Sequence, residues 1–483
     1  MNGATLAATP PALIWALAIA GLPLLLLAGT TLGRGLGVHR WGIPEALLAG
    51  VVGLLISPQG PWPLLPPGVI RLWDGLPLIL LTLVFGSLLV GKPLPKPGGL
   101  WHPLRAQVLL SLTLALGQYL IGGVVVLLVL QPWLGVSPVM ACLIEVAYEG
   151  GHGSAVAMAP TYERLGVEGA EALGLALATV GLLASTVVGG LLVVLARWRG
   201  WVKEPEAVAP GASPRAAEAP QDSLGATPAN VPTGPVPGLA QRLALASAWA
   251  VNFALAGVAV ALGWILLQGL RALAPHLGSG PATVIHALPV FPLALVGSLL
   301  VRLLLERTGR APLASAPIQS RISTGAADLL ITAATACLDL TSLSQLWKPL
   351  LVLGMAGLLW NLLVVLGAGR WMLPEPWFQR GLVDFGQATG VAASGLLLLN
   401  MADPEDRGDV LPPFSIKQLI LQPLVAGGVI TVVAPLAVNQ WGLPAWTGLC
   451  LALVLCCVGL AVALGRGRPG LSAPWRPHFP HPP

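Results

Sequence analysis

Glu145, Glu149, Gly150, Gly151, His152, Gly153 and Ser154 lie close together inside an almost unbroken succession of apolar segments. An ionisable side chain at the centre of a membrane helix costs about 2.5–3.5 kcal/mol, and glycines weaken the helix that carries it. Such a cluster survives where the backbone is buried in protein or lines a wet cavity. Glu145 and Glu149 stand four residues apart and Glu149 and His152 three, so all three share one helix face while the helix lasts. The glycines then let the backbone open and approach a ligand closely. Ser154 is placed to cap a new helix whose N–H groups favour an anion. The segment thus offers carboxylates to a cation and a helix end to an anion. The structural alternative is a buried Glu149–His152 pair that fixes a hairpin, with glycines for close packing. Glu145, nearer the segment's start, fits a structural role better.

A second polar stretch follows in the other half of the chain, at Asp384-Phe385-Gly386-Gln387-Ala388-Thr389-Gly390. Gln387, Thr389 and Ser394 add neutral oxygens suited to a hard monovalent cation or to substrate, although Ser394 fits ordinary back-bonding to its own helix equally well. Two polar, helix-interrupted segments in corresponding positions of two halves mark the binding site of secondary transporters. The expected substrate-binding residues are Gly150, Gly151, His152, Gly153, Ser154, Gly386, Gln387 and Thr389. Cation coupling is expected from Glu149, Asp384, Ser394 and Asn252, with Na⁺ held by Glu149 and Asp384. Asp328 is a weaker candidate. Asp339 reads as a cap or loop residue, and Glu45 after Pro44 as a first-turn acid.

The elements that must position these residues follow from composition. With 55% apolar and 9% charged residues and a mean hydropathy of +0.81, the chain is far from the roughly 25% charge of a soluble domain. An all-α polytopic membrane protein is expected. Spans read at 11–30, 43–57, 72–92, 106–131, 170–197, 240–268, 287–306, 323–346, 349–371, 411–438 and 443–465, most near the roughly 20 residues a bilayer needs. The first basic residue is Arg34, so the first apolar run reads as an uncleaved helix. The five cysteines lie in apolar segments without metal-ligand spacing. A net charge of +5 is spread along loops with no basic patch, so nucleic acid is not an expected partner; lipids are.

If the polar segments 138–166 and 377–407 each enter and leave on one side and the N-terminus lies outside, the basic residues sort by side. All of the 25 Lys and Arg residues except Arg71, Arg164, Arg271 and Lys348 then face the cytoplasm, as the positive-inside rule requires. The Pro- and Ala-rich stretch 203–238 reads as a disordered cytoplasmic linker between a first repeat, 1–202, and a second, 239–465. Each repeat has about five transmembrane helices and one broken hairpin, an odd number of crossings that inverts the second against the first. An extra helix and a disordered cytoplasmic tail, 466–483, complete the chain.

Enzyme signatures such as HExxH, Walker A and GxSxG are absent, so no enzymatic activity is expected and a Ser154–His152 hydrolase is a remote alternative. A channel would need more polar residues in its spans. Ile43-Pro44-Glu45 with Gly50, Gly150-Gly151-His152-Gly153-Ser154 with Glu163-Arg164 and Gly166, Ala178-Thr179, Gly181-Leu182, Gly189-Gly190 and Leu343 to Trp347 together resemble the bacterial sodium/glutamate symporter family. The second loop departs from the family pattern: Phe385-Gly386 keeps its place, Val391 stands near an expected proline and Asn400-Met401 is displaced, while Ala155 replaces a glycine of the first loop. The resemblance implies two inverted halves whose glycine-rich loops meet at the substrate and Na⁺ site, a glutamate-like carboxylate substrate, Na⁺ as coupling ion with no other cofactor, and a homodimer in the plasma membrane. Proton coupling through Glu149, His152 and Asp384 is the alternative within transporters.

The topology has a direct test. In a background lacking the five native cysteines, a single cysteine at Pro220 is expected to resist an impermeant thiol reagent added to intact cells; labelling from outside would reverse the orientation.

Overall fold

The computed structural model describes residues 10–36, 44–92, 101–202, 239–278, 282, 285–286, 288–403 and 406–465. The expected linker 203–238 and tail 466–483 lie outside the described residues. Every regular element among the described residues is helical, and 8 helices are long and apolar enough to cross a membrane. The chain is a multi-pass membrane protein.

In the first half α1 spans Pro11–Leu36, α2 Glu45–Leu55, α3 Pro67–Asp74 and α4 Leu76–Leu88. Then α5, Trp101–Val125, runs through a π turn at Val126–Leu130 into α6, Gln131–Leu134. A 3₁₀ turn at Pro138–Cys142 leads to α7, Leu143–Tyr148, and α8, Gly151–Arg164, before the long α9, Ala170–Trp198. The second half opens with α10, Leu239–Leu273, α11, Val290–Arg307, α12, Ala316–Ala336, and the short α13, Leu340–Gln345. There α14, Trp347–Leu363, passes through a π turn at Val364–Ala368 into α15, Gly369–Met372, ahead of the polar α16, Trp377–Ala402. After it come α17, Leu411–Leu421, α18, Val429–Trp441, and α19, Leu443–Gly465. A π turn therefore precedes the polar segment in both halves.

Two expected spans differ. The helix read at 323–346 begins and ends earlier, at Ala316–Ala336, and Asp339 lies beyond it, its Oδ1 accepting the Thr341 N–H at 2.9 Å as a local turn cap. The span read at 411–438 is two helices, because Pro423 cannot donate to the ladder and Ala426 and Gly427 take φ of 58° and 94°. Lys417, counted from sequence on the cytoplasmic side although inside the span read at 411–438, is fully buried on α17.

The helices pack in two groups. In one, α1 lies on α2, α2 and α4 on α12, and α10 and α4 on α11. In the other, α5 packs on α14 and α19, and α9 lies along α8 and α16. The groups meet where α4 and α12 touch α8. In a bilayer close approach rests on small residues. Between α10 and α11, a Cβ on Gly263 would lie 2.5 Å from the Ala294 nitrogen, and one on Gly297 would collide with the Ala259 carbonyl. The obstacle is backbone and cannot swing aside. Gly297→Leu is therefore expected to cost at least about 1–3 kcal/mol of overpacking and to lower the yield of monodisperse protein after extraction, whereas Gly257→Leu, with open space around it, should not.

Candidate functional site

Both polar segments double back on themselves. Ser137 Oγ donates to the Leu165 carbonyl at 3.3 Å, which brings the two ends of the first segment side by side. Between them α7 and α8 are joined through Glu149 and Gly150, and Gly151 turns the chain with φ +68°. In the second segment α16 breaks at Gly390 and at Val391, which has φ +71°. Its arms fold together so closely that a Cβ on Gly386 would lie 2.6 Å from Gly395 Cα. At its base Arg380 Nη2 donates to the carbonyls of Gly408 at 3.0 Å and Asp409 at 3.3 Å. A β-branched residue in the left-handed region is strained, and such strain persists only where the surroundings impose it. Here the surroundings include the other hairpin, since a Cβ on Gly151 would sit 2.7 Å from Val391 Cγ1. The two bends meet.

Most polar groups of the second hairpin are engaged within the protein. Gln118 Nε2 donates to the Ala388 carbonyl at 2.6 Å, and Asn361 Nδ2 donates to the same carbonyl and to Thr389 Oγ1 at 3.0 Å each. Ser394 Oγ donates to the Gly390 carbonyl at 2.5 Å, the back-bonding arrangement. Gly386 serves the packing of the two arms. Lys417 Nζ lies 2.6 Å from Asp384 Oδ1 and 2.5 Å from Gln387 Oε1, so an ammonium stands where Na⁺ was expected on Asp384.

The first hairpin is different. Glu145 is satisfied: Oε2 accepts from Tyr119 at 2.5 Å, and Oε1 accepts from the Ala426 N–H at 2.9 Å and Thr431 Oγ1 at 3.0 Å. It anchors the α17–α18 break, as its structural reading anticipates. Glu149, 4% exposed, interacts electrostatically with Glu145, Lys417 and Asp384, and its Oε2 has no hydrogen-bond partner. The Glu149–His152 pair of the structural alternative is not formed. Thr179 Oγ1 gives its proton to the Leu175 carbonyl at 2.9 Å, so His152 Nε2 donates to Thr179 Oγ1 at 3.1 Å.

Ser154 does not cap α8. That helix begins three residues earlier, at Gly151, with Gly150 at its N-cap position and no side-chain cap, because the bend itself starts the helix. Ser154 Oγ is buried without a hydrogen-bond partner, near Gly427 of the α17–α18 break, and it does not bond to His152. Gly153 faces Leu81 and Leu330 of α4 and α12, and so packs against the other helix group. Asn252 is remote from this site. Its Oδ1 accepts from the Ser315 N–H at 3.0 Å and from Gln319 Nε2 at 3.1 Å, and its Nδ2 donates to the Ala248 carbonyl at 2.9 Å. The expected coupling role gives way to holding α10 on the start of α12.

Sequence reasoning missed Lys417 and a polar face of α5. Gln107, Ser111 and Gln118, all buried, recur at helical spacing, and Gln107 Nε2 and Oε1, Ser111 Oγ and Gln118 Oε1 lack hydrogen-bond partners. Ser111 stands beside Asp384. The legible signal was periodicity: three amide or hydroxyl side chains on one face of an otherwise apolar helix.

The arrangement places an unpartnered carboxylate oxygen, an unpartnered hydroxyl and an uncapped helix N-terminus around one bend, against a second hairpin in which Asp384 Oδ2 is likewise unpartnered. It can take a cation at Glu149 and an anionic group at the start of α8. No family model, no curated protein and no solved structure matches the chain.

The contact between bends predicts a suppressor. Gly151→Ala introduces a side chain at positive φ and against Val391, at a cost of about 1–2 kcal/mol from the backbone alone. Adding Val391→Gly clears the space and relieves its own strain. The double variant is expected to unfold, by thermal denaturation in detergent, closer to wild type than Gly151→Ala does; additive losses would mean that the bends do not touch.

Proposed function

We propose that the protein is a cation-coupled secondary symporter of the plasma membrane that carries a small carboxylate-bearing solute, with Na⁺ the coupling ion and glutamate the first candidate substrate. The carrying observation is the meeting of the two bends, with Glu149 Oε2 unpartnered and the N-terminus of α8 uncapped beside it. Glu149 binds the cation and the start of α8 binds the substrate carboxylate. Na⁺ and glutamate come from the family resemblance of the first loop. The matching π turns and hairpins of the two halves support an inverted repeat with re-entrant hairpins, and the distribution of Lys and Arg along the sequence supports the N-terminus outside and the linker and C-terminus inside.

The division into two helix groups supports alternating access. The group that carries both hairpins moves against α1, α2, α4 and α10–α12, and the surface between them is apolar, with Leu81 and Leu330 set against Gly153. A homodimer formed through the group without hairpins leaves the other free to move. Proton coupling is a second reading, favoured because Glu149 Oε2 lacks a hydrogen-bond partner and a carboxylate oxygen can accept a proton in place of Na⁺.

Purified protein in liposomes is expected to accumulate labelled glutamate or another small carboxylate under an inward Na⁺ gradient, and not when choline replaces Na⁺ at fixed pH. Uptake driven instead by a pH gradient in choline would select proton coupling, and failure to accumulate any carboxylate would remove the proposal. Glu149→Gln is expected to shift the Na⁺ dependence upward by roughly 5- to 150-fold, with part of the uptake restored at saturating Na⁺.

A further inference from the structure

Lys417 is the buried charge that the coupling scheme leaves unused. An ammonium at bilayer depth is costly and persists where it is paired and functional. Its side chain is inaccessible to solvent, Nζ contacts Asp384 Oδ1 at 2.6 Å and Gln387 Oε1 at 2.5 Å, and it lies 4.4 Å from the centroid of the Phe414 ring. A carboxylate, an amide oxygen and an aromatic face together form the surroundings of a bound monovalent cation. The two hairpins also handle their acids in parallel. Glu145 lies six residues before the positive-φ Gly151 and Asp384 seven before the positive-φ Val391, and each is bonded to a different side of the α17–α18 break. Glu145 receives neutral donors and Asp384 Oδ1 receives the ammonium while its Oδ2 stays without a hydrogen-bond partner, and Glu149 keeps Oε2 unpartnered with no ammonium bonded to it.

We propose that the Lys417 ammonium is a tethered cation filling, on the second hairpin, the place of a coupling ion, so that exchangeable cation binds at Glu149 alone. This rests on the cation-coupled transporter proposed above. Because the tethered charge travels with the protein, the second hairpin contributes no ion to the transport stoichiometry. Shortening Lys417 opens a site on Asp384 and Gln387 for a small alkylammonium or for Na⁺.

The test needs neither substrate nor transport. Lys417→Ala removes the atoms that propylammonium restores. In detergent, its unfolding temperature is expected to fall below wild type, to rise with propylammonium and with Na⁺, and not to rise with 1-propanol, which has similar shape and no charge. Wild type should be indifferent to the amine. The Asp384→Asn/Lys417→Met double variant, which removes both charges, is expected to fold and to show no response to the amine. Equal rescue by propanol, or amine rescue of the double variant, would overturn the proposal. So would failure of Lys417→Ala to fold even when extracted in propylammonium while the double variant folds, since the ammonium would then be a structural charge only. Stabilisation of wild type by Na⁺ should need higher Na⁺ concentrations in Glu149→Gln; an unchanged Na⁺ dependence would deny Glu149 the exchangeable site. If wild type moves no carboxylate yet the amine rescue holds, the transport reading falls and the tethered cation stands.

Discussion

Backbone that leaves a helix inside an apolar medium needs partners for its N–H and C=O groups, and among the described residues the polar centre has such breaks at Glu149–Gly151, at Gly390–Val391 and at Gln422–Gly428. Each break is served in turn. The Gly150 N–H returns to the Glu145 carbonyl at 3.1 Å, the Ala388 carbonyl collects Gln118 and Asn361, and the Gly390 carbonyl takes Ser394. At the third break Glu145 accepts the Ala426 N–H, and the Gly427 N–H goes to Thr431 Oγ1 at 3.0 Å. The partners come from α5, α14 and α18 as well as the hairpins themselves, so the breaks and the helices around them form one hydrogen-bonded unit. Tyr119 and Gln118, adjacent on α5, serve different hairpins.

The same economy governs charge. A buried carboxylate with good donors is tolerable, and one without them is a strong cost. Glu145 has a tyrosine, a threonine and a backbone N–H, and Asp384 has an ammonium. Replacement of buried ion pairs by apolar residues is often neutral or stabilising, so stability alone does not account for Lys417 and Asp384 at this depth. Glu149 Oε2 and Asp384 Oδ2 are the buried carboxylate oxygens of these three acids left without a hydrogen-bond partner.

Around this centre the packing is asymmetric. The first hairpin touches both helix groups, through Gly153 to Leu81 and Leu330 and through Tyr148 Oη to the Gly354 carbonyl at 2.7 Å. The second lies along α9, where Gly189 packs on Leu398 and Gly181 on the Thr389 carbonyl. Motion between the groups would therefore be felt first at the bend that carries Glu149.

Sequence by itself determined the class, most spans, both polar segments and the acids within them, because burial of charge and glycine in an apolar run is a local signal with a large energy. The position of the first bend was legible in Gly150 and Gly151; that of the second was not, since Val391 adopts a positive φ that its own side chain opposes, in surroundings that include the facing hairpin. Tertiary structure alone decided which polar groups are spent and which remain open. Asn252 goes to Ser315 and Gln319, His152 to Thr179 and Thr389 to Asn361, all choices made by residues distant in the chain. Lys417 is the sharpest case. Counted by side alone its charge reads as one facing the cytoplasm, and only the fold of α17 against the second hairpin places it 2.6 Å from Asp384. Local energies are written in neighbouring residues, whereas the pairing of buried charges depends on which helices pack together, and 33 residues separate this pair along the chain.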